Sequence, residues 1–344
     1  MKHPQFKRPA AQRGLTLIEL LVALVISSVI IIAAISALIV SRQGFSTVDA
    51  ASQLRDNARF ATQQIQRFAV QAGFNDFEDA TTTWTKDKTT GIPVSSSGGD
   101  TLPSVFGFNN ATASASDPTN VGVARVGTTS LGYGSDVLIL KYQVPETYPS
   151  STKADKSMID CFGAPPVDSD IRQYPGDRRT NVLHIAVSTI TGEPELNCST
   201  DKKVQRQPIL AGVENFQVLY GVDGVTANVA TATTVTPTFI ATNYLRADQM
   251  AVVPDPTGDA TNANWRRVRS IKIGMVIRGP LGSAQQALSQ TYYPFGKATS
   301  AAGGSTGSAM SSVNDPGTAY TPPADTRLRQ VVTFTVHLRN EQGL

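Results

Sequence analysis

The sequence predicts an α+β protein: a long N-terminal helix packed on an antiparallel β-sheet whose strands are joined by long loops. Three observations predict it. An uncharged apolar run, Leu20 to Val40, follows a basic N-terminus. An apolar stripe at helical spacing then continues to Ala72. Beyond it, runs of alternating polar and apolar residues recur to the C-terminus, separated by Gly-, Pro- and Thr-rich stretches. Helix first and strands afterwards is the segregated α+β pattern.

Leu20 to Val40 carries no charge, and Ser27, Ser28 and Ser36 are its only polar residues. At about 1.5 Å rise per residue it spans roughly 31 Å, the thickness of a bilayer core. Lys2, Lys7, Arg8 and Arg13 precede it with no acid among them. Positive flanks stay in the cytoplasm, so the C-terminal part is expected on the far side. A secretory signal peptide needs a core of only about 7–15 apolar residues and a small-residue cleavage site. The run is longer than that, and Ser41-Arg42-Gln43 is a poor site. A plain membrane anchor explains the run but leaves Glu19 and the Gly14-Leu15 junction unexplained. An acid at the centre of a membrane helix costs about 2.5–3.5 kcal/mol, less near an end, so Glu19 calls for a partner.

The helical pattern continues past Val40. Ala51, Leu54, Ala58, Ala61, Ile65, Phe68 and Ala72 fall at steps of three and four, opposite Gln53, Arg55, Asp56, Arg59, Gln63, Gln66 and Arg67. That is an amphipathic face suited to a sheet. Gly73 supplies a stop. A single helix from about Leu15 to Ala72 follows, with Gly44 a candidate bend.

From Asn75 to about Asn120 the chain is rich in Thr, Ser, Gly, Asn and Asp and reads as irregular, with one short strand at Ser104–Phe108. Strand runs follow at Asp136–Val144, Asn181–Ser188, Val213–Tyr220, Val268–Ile277 and Arg329–Leu338. Several alternate, as half-buried antiparallel strands do. Stretches 222–263 and 296–326 read as long loops.

The chain has 344 residues and a formal charge of +3. Removing residues 1–14 takes away four basic residues and no acid, leaving −1. The basic character belongs largely to the leader and is no argument for nucleic-acid binding. About 270 residues lie beyond the first helix, enough for a sizeable core. The two cysteines, Cys161 and Cys198, form an even count in a chain exported beyond the cytoplasm, which favours one disulfide over two free thiols. Closing a loop of about 37 residues contributes roughly 3–4 kcal/mol in the chain-entropy picture. A metal pair is disfavoured, because His3, His184 and His337 lie far apart in sequence.

Catalytic patterns are missing. There is no GxxxxGKS/T phosphate loop and no HExxH helix. Gly303-Gly304-Ser305-Thr306-Gly307 fits GxSxG, but its flanks are small-residue loop where a nucleophile elbow needs a strand and a helix. His184 and His337 sit in strand runs and read as structural. Asp223 and Asp248 flank a polar loop without the ligand spacing of a calcium loop. Arg178-Arg179 and Arg266-Arg267 read as solvated charges. Tyr292-Tyr293-Pro294-Phe295 reads either as a partner contact or as a core edge. No cofactor is expected.

The N-terminus resembles the type IV pilin family. Its members carry a short basic leader ending in Gly, then a hydrophobic residue, then Glu five residues into the mature chain. Gly14, Leu15 and Glu19 match, although Leu15 stands where the family usually has an aromatic residue. The resemblance implies cleavage between Gly14 and Leu15 by a prepilin peptidase, methylation of the Leu15 amine, and pairing of Glu19 with that amine on a neighbouring subunit. Further blocks resemble PilW-like minor pilins: Asp56–Phe60, Pro208–Asp223, Trp265 with Val268 and Val276–Arg278, and Arg327–Asn340. The implied domains are a leader over 1–14, a transmembrane and fibre-core helix over 15–42, and a periplasmic domain over 43–344. That domain holds an amphipathic helix over 43–72 and a sheet over about 100–340. The implied function is a minor pilin that primes assembly at or near the tip and supports twitching motility, adhesion or DNA uptake. Its partners would be other minor and major pilins, a tip adhesin-like protein, and the inner membrane before assembly; direct nucleic-acid contact stays open. Two alternatives remain. A J-like minor pseudopilin of a type II secretion system shares the leader, acid and helix-on-sheet plan. A membrane-anchored periplasmic enzyme or binding module would need a convergent polar site, and the sequence offers none.

Overall fold

The computed structural model describes residues 16–75, 85–86, 93–94, 103–127, 130–148, 151–171, 178–201, 206–232, 236–287, 289–296 and 315–340. The long helix, α1, spans Leu17–Gln71 and runs without interruption through Gly44. It enters both structural units of the chain, 1–49 and 50–344.

In the first unit every apolar side chain from Leu17 to Val40 is exposed. The three serines give their hydroxyls back to the helix: Ser27 to the Ala23 carbonyl at 2.7 Å, Ser28 to Val25 at 2.7 Å and Ser36 to Ile32 at 2.8 Å. No polar group within the run is left asking for water, which suits a lipid-facing helix.

In the second unit α1 buries Ala50, Leu54, Ala58, Ala61, Ile65, Phe68 and Ala69. The stripe begins at Ala50; Ala51, expected in it, is half-exposed. Both residues are alanine, so the pattern alone does not choose between adjacent starting positions. The helix stops as expected at Gly73, whose φ of +75° only glycine adopts cheaply. Its last carbonyls are satisfied from the far end of the chain: Asn340 Nδ2 donates to Val70 at 2.9 Å and Ala72 at 3.1 Å.

The strands in chain order are β1 (Thr85–Lys86), β2 (Pro93–Val94), β3 (Val105–Phe108), β4 (Ala111–Ala113), β5 (Val121–Ala124), β6 (Val137–Tyr142), β7 (Arg179–Val187), β8 (Pro194–Thr200), β9 (Gln207–Ala211), β10 (Val213–Val222), β11 (Asn243–Leu245), β12 (Val268–Arg278) and β13 (Arg329–His337). The five long runs read from sequence become β6, β7, β10, β12 and β13, and the short one becomes β3. The single sheet of the sequence reading is corrected to two large ones, β3-β6-β7-β8-β9 and β11-β10-β12-β13, beside the small pairs β1-β2 and β4-β5. Every pairing is antiparallel. The 222–263 stretch, expected to be loop, also holds β11 and two short helices, α2 (Ala247–Met250) and α3 (Asp259–Trp265).

Two sheets form because the chain turns a corner at Gly212, between β9 and β10. Gly212 has φ +82°, and a Cβ there would lie 2.7 Å from the Arg278 carbonyl. Asp136 ties the sheets together. Its backbone N–H donates to the Phe216 carbonyl at 2.8 Å, and its carboxylate accepts from Val218 N–H at 2.8 Å and Asn110 N–H at 2.9 Å. Burial pushes this carboxyl well above its ordinary value, reinforced by the charge of Asp315. Trp265 wedges between the sheets, edge-on to Tyr220 of β10 at 4.7 Å and to Phe106 of β3 at 6.4 Å. One core cluster collects α1 from Leu54 onward with the inner faces of both sheets.

Two covalent and ionic ties complete the domain. Cys161 and Cys198 are joined in a disulfide with their Cα atoms 6.2 Å apart, fastening the loop around Cys161 to β8. An ionic network of Arg278, Arg327 and Arg329 with Glu193, Glu214 and Asp325 links the β7–β8 turn, β10, β12 and the start of β13.

Candidate functional site

The chemically loaded end of the chain is the start of α1. Thr16 N–H and Oγ1–H each donate to Glu19 Oε2 at 3.0 Å, and Glu19 N–H points back to Thr16 Oγ1 at 3.4 Å. This is a capping box: Thr at the N-cap and Glu three residues on satisfy each other's orphan donors. The anionic side chain also lies at the positive end of the helix dipole. Glu19 therefore has a partner inside its own chain, Thr16. The signal for Thr16 stands in the sequence as Thr-Leu-Ile-Glu, but the membrane length of the run draws attention to Glu19 alone. Gly14 and Leu15, the expected cleavage pair, lie outside the described residues.

The remaining candidates resolve into structural roles. His184 is buried, with Nε2 3.4 Å from Ser199 Oγ, and burial pushes its pKa down to about 4. It is a neutral core histidine across the physiological range. Asp223 is spent on the polypeptide: its carboxylate accepts from Thr238 N–H at 2.7 Å, Thr238 Oγ1 at 2.8 Å and Phe239 N–H at 2.8 Å. Burial alone would raise that carboxyl, but these bonds hold it below its ordinary value. Asp248 is clasped by Arg246 at 2.9 and 2.8 Å. The calcium reading of Asp223 and Asp248 gains nothing, and among the described residues no group of His, Cys, Asp and Glu is placed to hold a metal. Arg178 and Arg179, expected to be solvated, bind Ser104 and Asp201, each at 2.8 Å, and Arg179 is buried. Arg267 reaches the Asp223 carbonyl at 3.2 Å. The Tyr292–Phe295 cluster is part of the fold: Tyr292 bridges to Tyr320, and Phe295 is buried. His337 is exposed at the end of β13. Ser305 lies outside the described residues.

What the geometry offers is an uncovered apolar surface: an exposed helix led by a capped acid, followed by a disulfide-fastened domain. Residues 9–35 match the family described as Prokaryotic N-terminal methylation motif, and residues 183–340 match the family described as Type IV Pilus-assembly protein W. A type IV-like pilin from Thermus thermophilus, TTHA1219, aligns in structure at 12% identity, covering 84% of this chain and 96% of that one, with a TM-score of 0.36. No curated relative matches the sequence.

The methylation motif at the start of α1 and the match over residues 183–340 make the chain similar to type IV pilin-like proteins. The part that resembles the PilW family runs from β7 to beyond the end of β13. The methylation motif implies processing by a prepilin peptidase and association with other pilins, and the apolar helix fits a membrane-anchored pilin. Pilins of this kind are structural proteins rather than enzymes.

Proposed function

We propose that the chain is a minor pilin that primes assembly of a type IV pilus at or near its tip, in support of twitching motility, adhesion or DNA uptake. The subunit waits in the inner membrane with its disulfide-bonded domain in the periplasm. Cleavage between Gly14 and Leu15 frees the Leu15 amine, which is then methylated. The helix leaves lipid by burying its Leu20–Val40 surface against the helices of other subunits, a tip adhesin-like protein joining them at the end of the fibre. Glu19 then exchanges its local bond to Thr16 for the Leu15 amine of a neighbour, which fixes the axial offset because a buried carboxylate needs a cationic partner.

The observation that carries this reading is the coincidence at one helix start of the methylation motif, an acid and an uncovered span of membrane length. Glu19→Ala is expected to abolish incorporation into pili while the mature N-terminus, read by mass spectrometry, still begins at Leu15. Thr16→Ala breaks the same capping box but keeps the carboxylate, and should leave assembly largely intact. Undiminished piliation of Glu19→Ala, or equal loss with Thr16→Ala, refutes the pairing; a mature chain that still begins at Met1 refutes the processing.

A further inference from the structure

The two large sheets have four edges, and their protection differs. β11 and β3 are short, at three and four residues. β9 carries Pro208 and a register shift against β8. β13 has neither device: it pairs with β12 over nine consecutive residues without a shift, and Gln330–Val336 contains no Pro, no Lys and no charge. A long, regular, uncharged edge is a template for another strand unless something covers it. Among the described residues none pairs with its outer side.

The ladder fixes which groups face out. Leu338 N–H donates to the Arg269 carbonyl and Gly279 N–H to the Leu328 carbonyl, so those pairs are hydrogen-bonded across β12–β13. Alternation along an antiparallel ladder then directs Gln330, Val332, Phe334 and Val336 inward to β12. It turns the backbone N–H and C=O of Val331, Thr333 and Thr335 outward. Beside this edge runs a cleft of about 610 Å³, with β13 on one side and Arg55, Arg59, Thr62 and Gln63 of α1 on the other. Arg55 and Arg59 are exposed one helical turn apart, and no ion pair to either occurs among the described residues.

We infer that the outer edge of β13 is a docking site for an extended strand of another protein, which adds to the sheet and turns carboxylate side chains toward Arg55 and Arg59. The backbone supplies the ladder and the two arginines choose the partner's charge, the division of labour usual in strand addition. The site stands on the 50–344 unit and does not depend on pilus membership.

The test uses the full chain in detergent and residue-resolved amide hydrogen exchange, with a synthetic peptide alternating Glu with Val and Thr and a second in which Lys replaces Glu. In the free protein Val331, Thr333 and Thr335 should exchange as open amides while Val332, Phe334 and Val336 are protected. The Glu peptide should slow exchange at those three residues. Val331→Pro should abolish binding, since Pro at an outward edge position removes a donor the folded sheet does not use. Arg55→Glu with Arg59→Glu, on an exposed helix face, should weaken the Glu peptide by about tenfold or more and turn preference to the Lys peptide. Protection of the three outward amides in the free chain would show that the protein covers its own edge and overturn the inference. Failure of the Glu peptide to bind at millimolar concentration, or equal binding of the two peptides, overturns it as well. Protection that depends on protein concentration without peptide identifies a second copy as the occupant and overturns the acidic-partner assignment.

Discussion

Truncating Glu214 to alanine should cost about 3 kcal/mol of folding stability. Glu214 is fully buried on β10. Its Oε1 accepts from Arg278 Nη1 at 2.9 Å and Arg329 Nη2 at 3.1 Å, and its Oε2 from Arg329 Nε at 2.6 Å. The guanidiniums are scarcely more accessible, with side-chain exposures of 9% for Arg278 and 2% for Arg329. Removing the shared anion leaves two cations facing each other where water cannot solvate them. Breaking such a buried pair costs about 3–5 kcal/mol, against roughly 0–1 kcal/mol for an exposed one. The lower part of the buried range applies, because each arginine keeps a second carboxylate: Glu193 Oε2 lies 2.9 Å from Arg278 Nε, and Asp325 holds Arg329 at 2.6 and 2.9 Å. Urea unfolding of the full chain in detergent, followed by near-ultraviolet circular dichroism and by emission of the buried Trp265, should show a midpoint lower by roughly 1–2 M at unchanged slope. In a double-mutant cycle with Arg329→Ala the coupling should exceed about 1.5 kcal/mol. A loss below about 1 kcal/mol, or additivity of the two substitutions, would refute the argument that this network is desolvated.

The remaining predictions concern pH and packing. Burial pushes the Asp315 carboxyl up to about 6, against the pull of Arg246, so its folded form holds a proton that the unfolded chain releases. This group therefore adds stability as pH falls from about 6 toward 4, and Asp315→Asn should flatten that rise; parallel urea midpoints for the two proteins between pH 7 and 5 would sink the assignment. Glu193 and Asp325 have the opposite sign. Burial raises both, but arginine bonds and charges hold them below the ordinary range, so their contribution is full at neutral pH and lost only below about pH 4. Gly274→Ala would place a Cβ 2.6 Å from Pro294 Cβ and 2.8 Å from its carbonyl oxygen, so overpacking should cost about 1–3 kcal/mol; an unchanged melting temperature would show that the Pro294 segment moves aside freely.

What could be read from sequence divides along a physical line. The soluble half of α1 is written in its periodicity, and β6, β7, β10, β12 and β13 in runs rich in β-branched and other apolar residues. β8 is not. Pro-Glu-Leu-Asn-Cys-Ser-Thr has no alternation to see, yet six of its seven residues are buried, with Asn197, Ser199 and Thr200 among them. Its burial is made tolerable by neighbours on β7 and β9, which a local window does not contain. The same holds for Glu214, whose two arginines lie 64 and 115 residues away, and for Asn340, which caps a helix 268 residues earlier. A buried polar side chain is legible only through its partner, and sequence distance hides the partner.

The two interaction surfaces differ in the same way. The start of α1 announces itself because its chemistry is local: an acid, a threonine three residues before it, and an apolar run of fixed length. The β13 edge is silent by comparison. Gln-Val-Val-Thr-Phe-Thr-Val predicts a strand but says nothing about which side lacks a neighbour, and that depends on strand order. Nor does it say which amides face outward. A shift of one residue in the β12–β13 register would exchange the inward and outward sets, and only the bonds from Leu338 to Arg269 and from Gly279 to Leu328 settle that register. The helix proposed to carry the subunit into an assembly can therefore be recognised from its residues, whereas the edge proposed to select a particular neighbour exists only once the sheet is built.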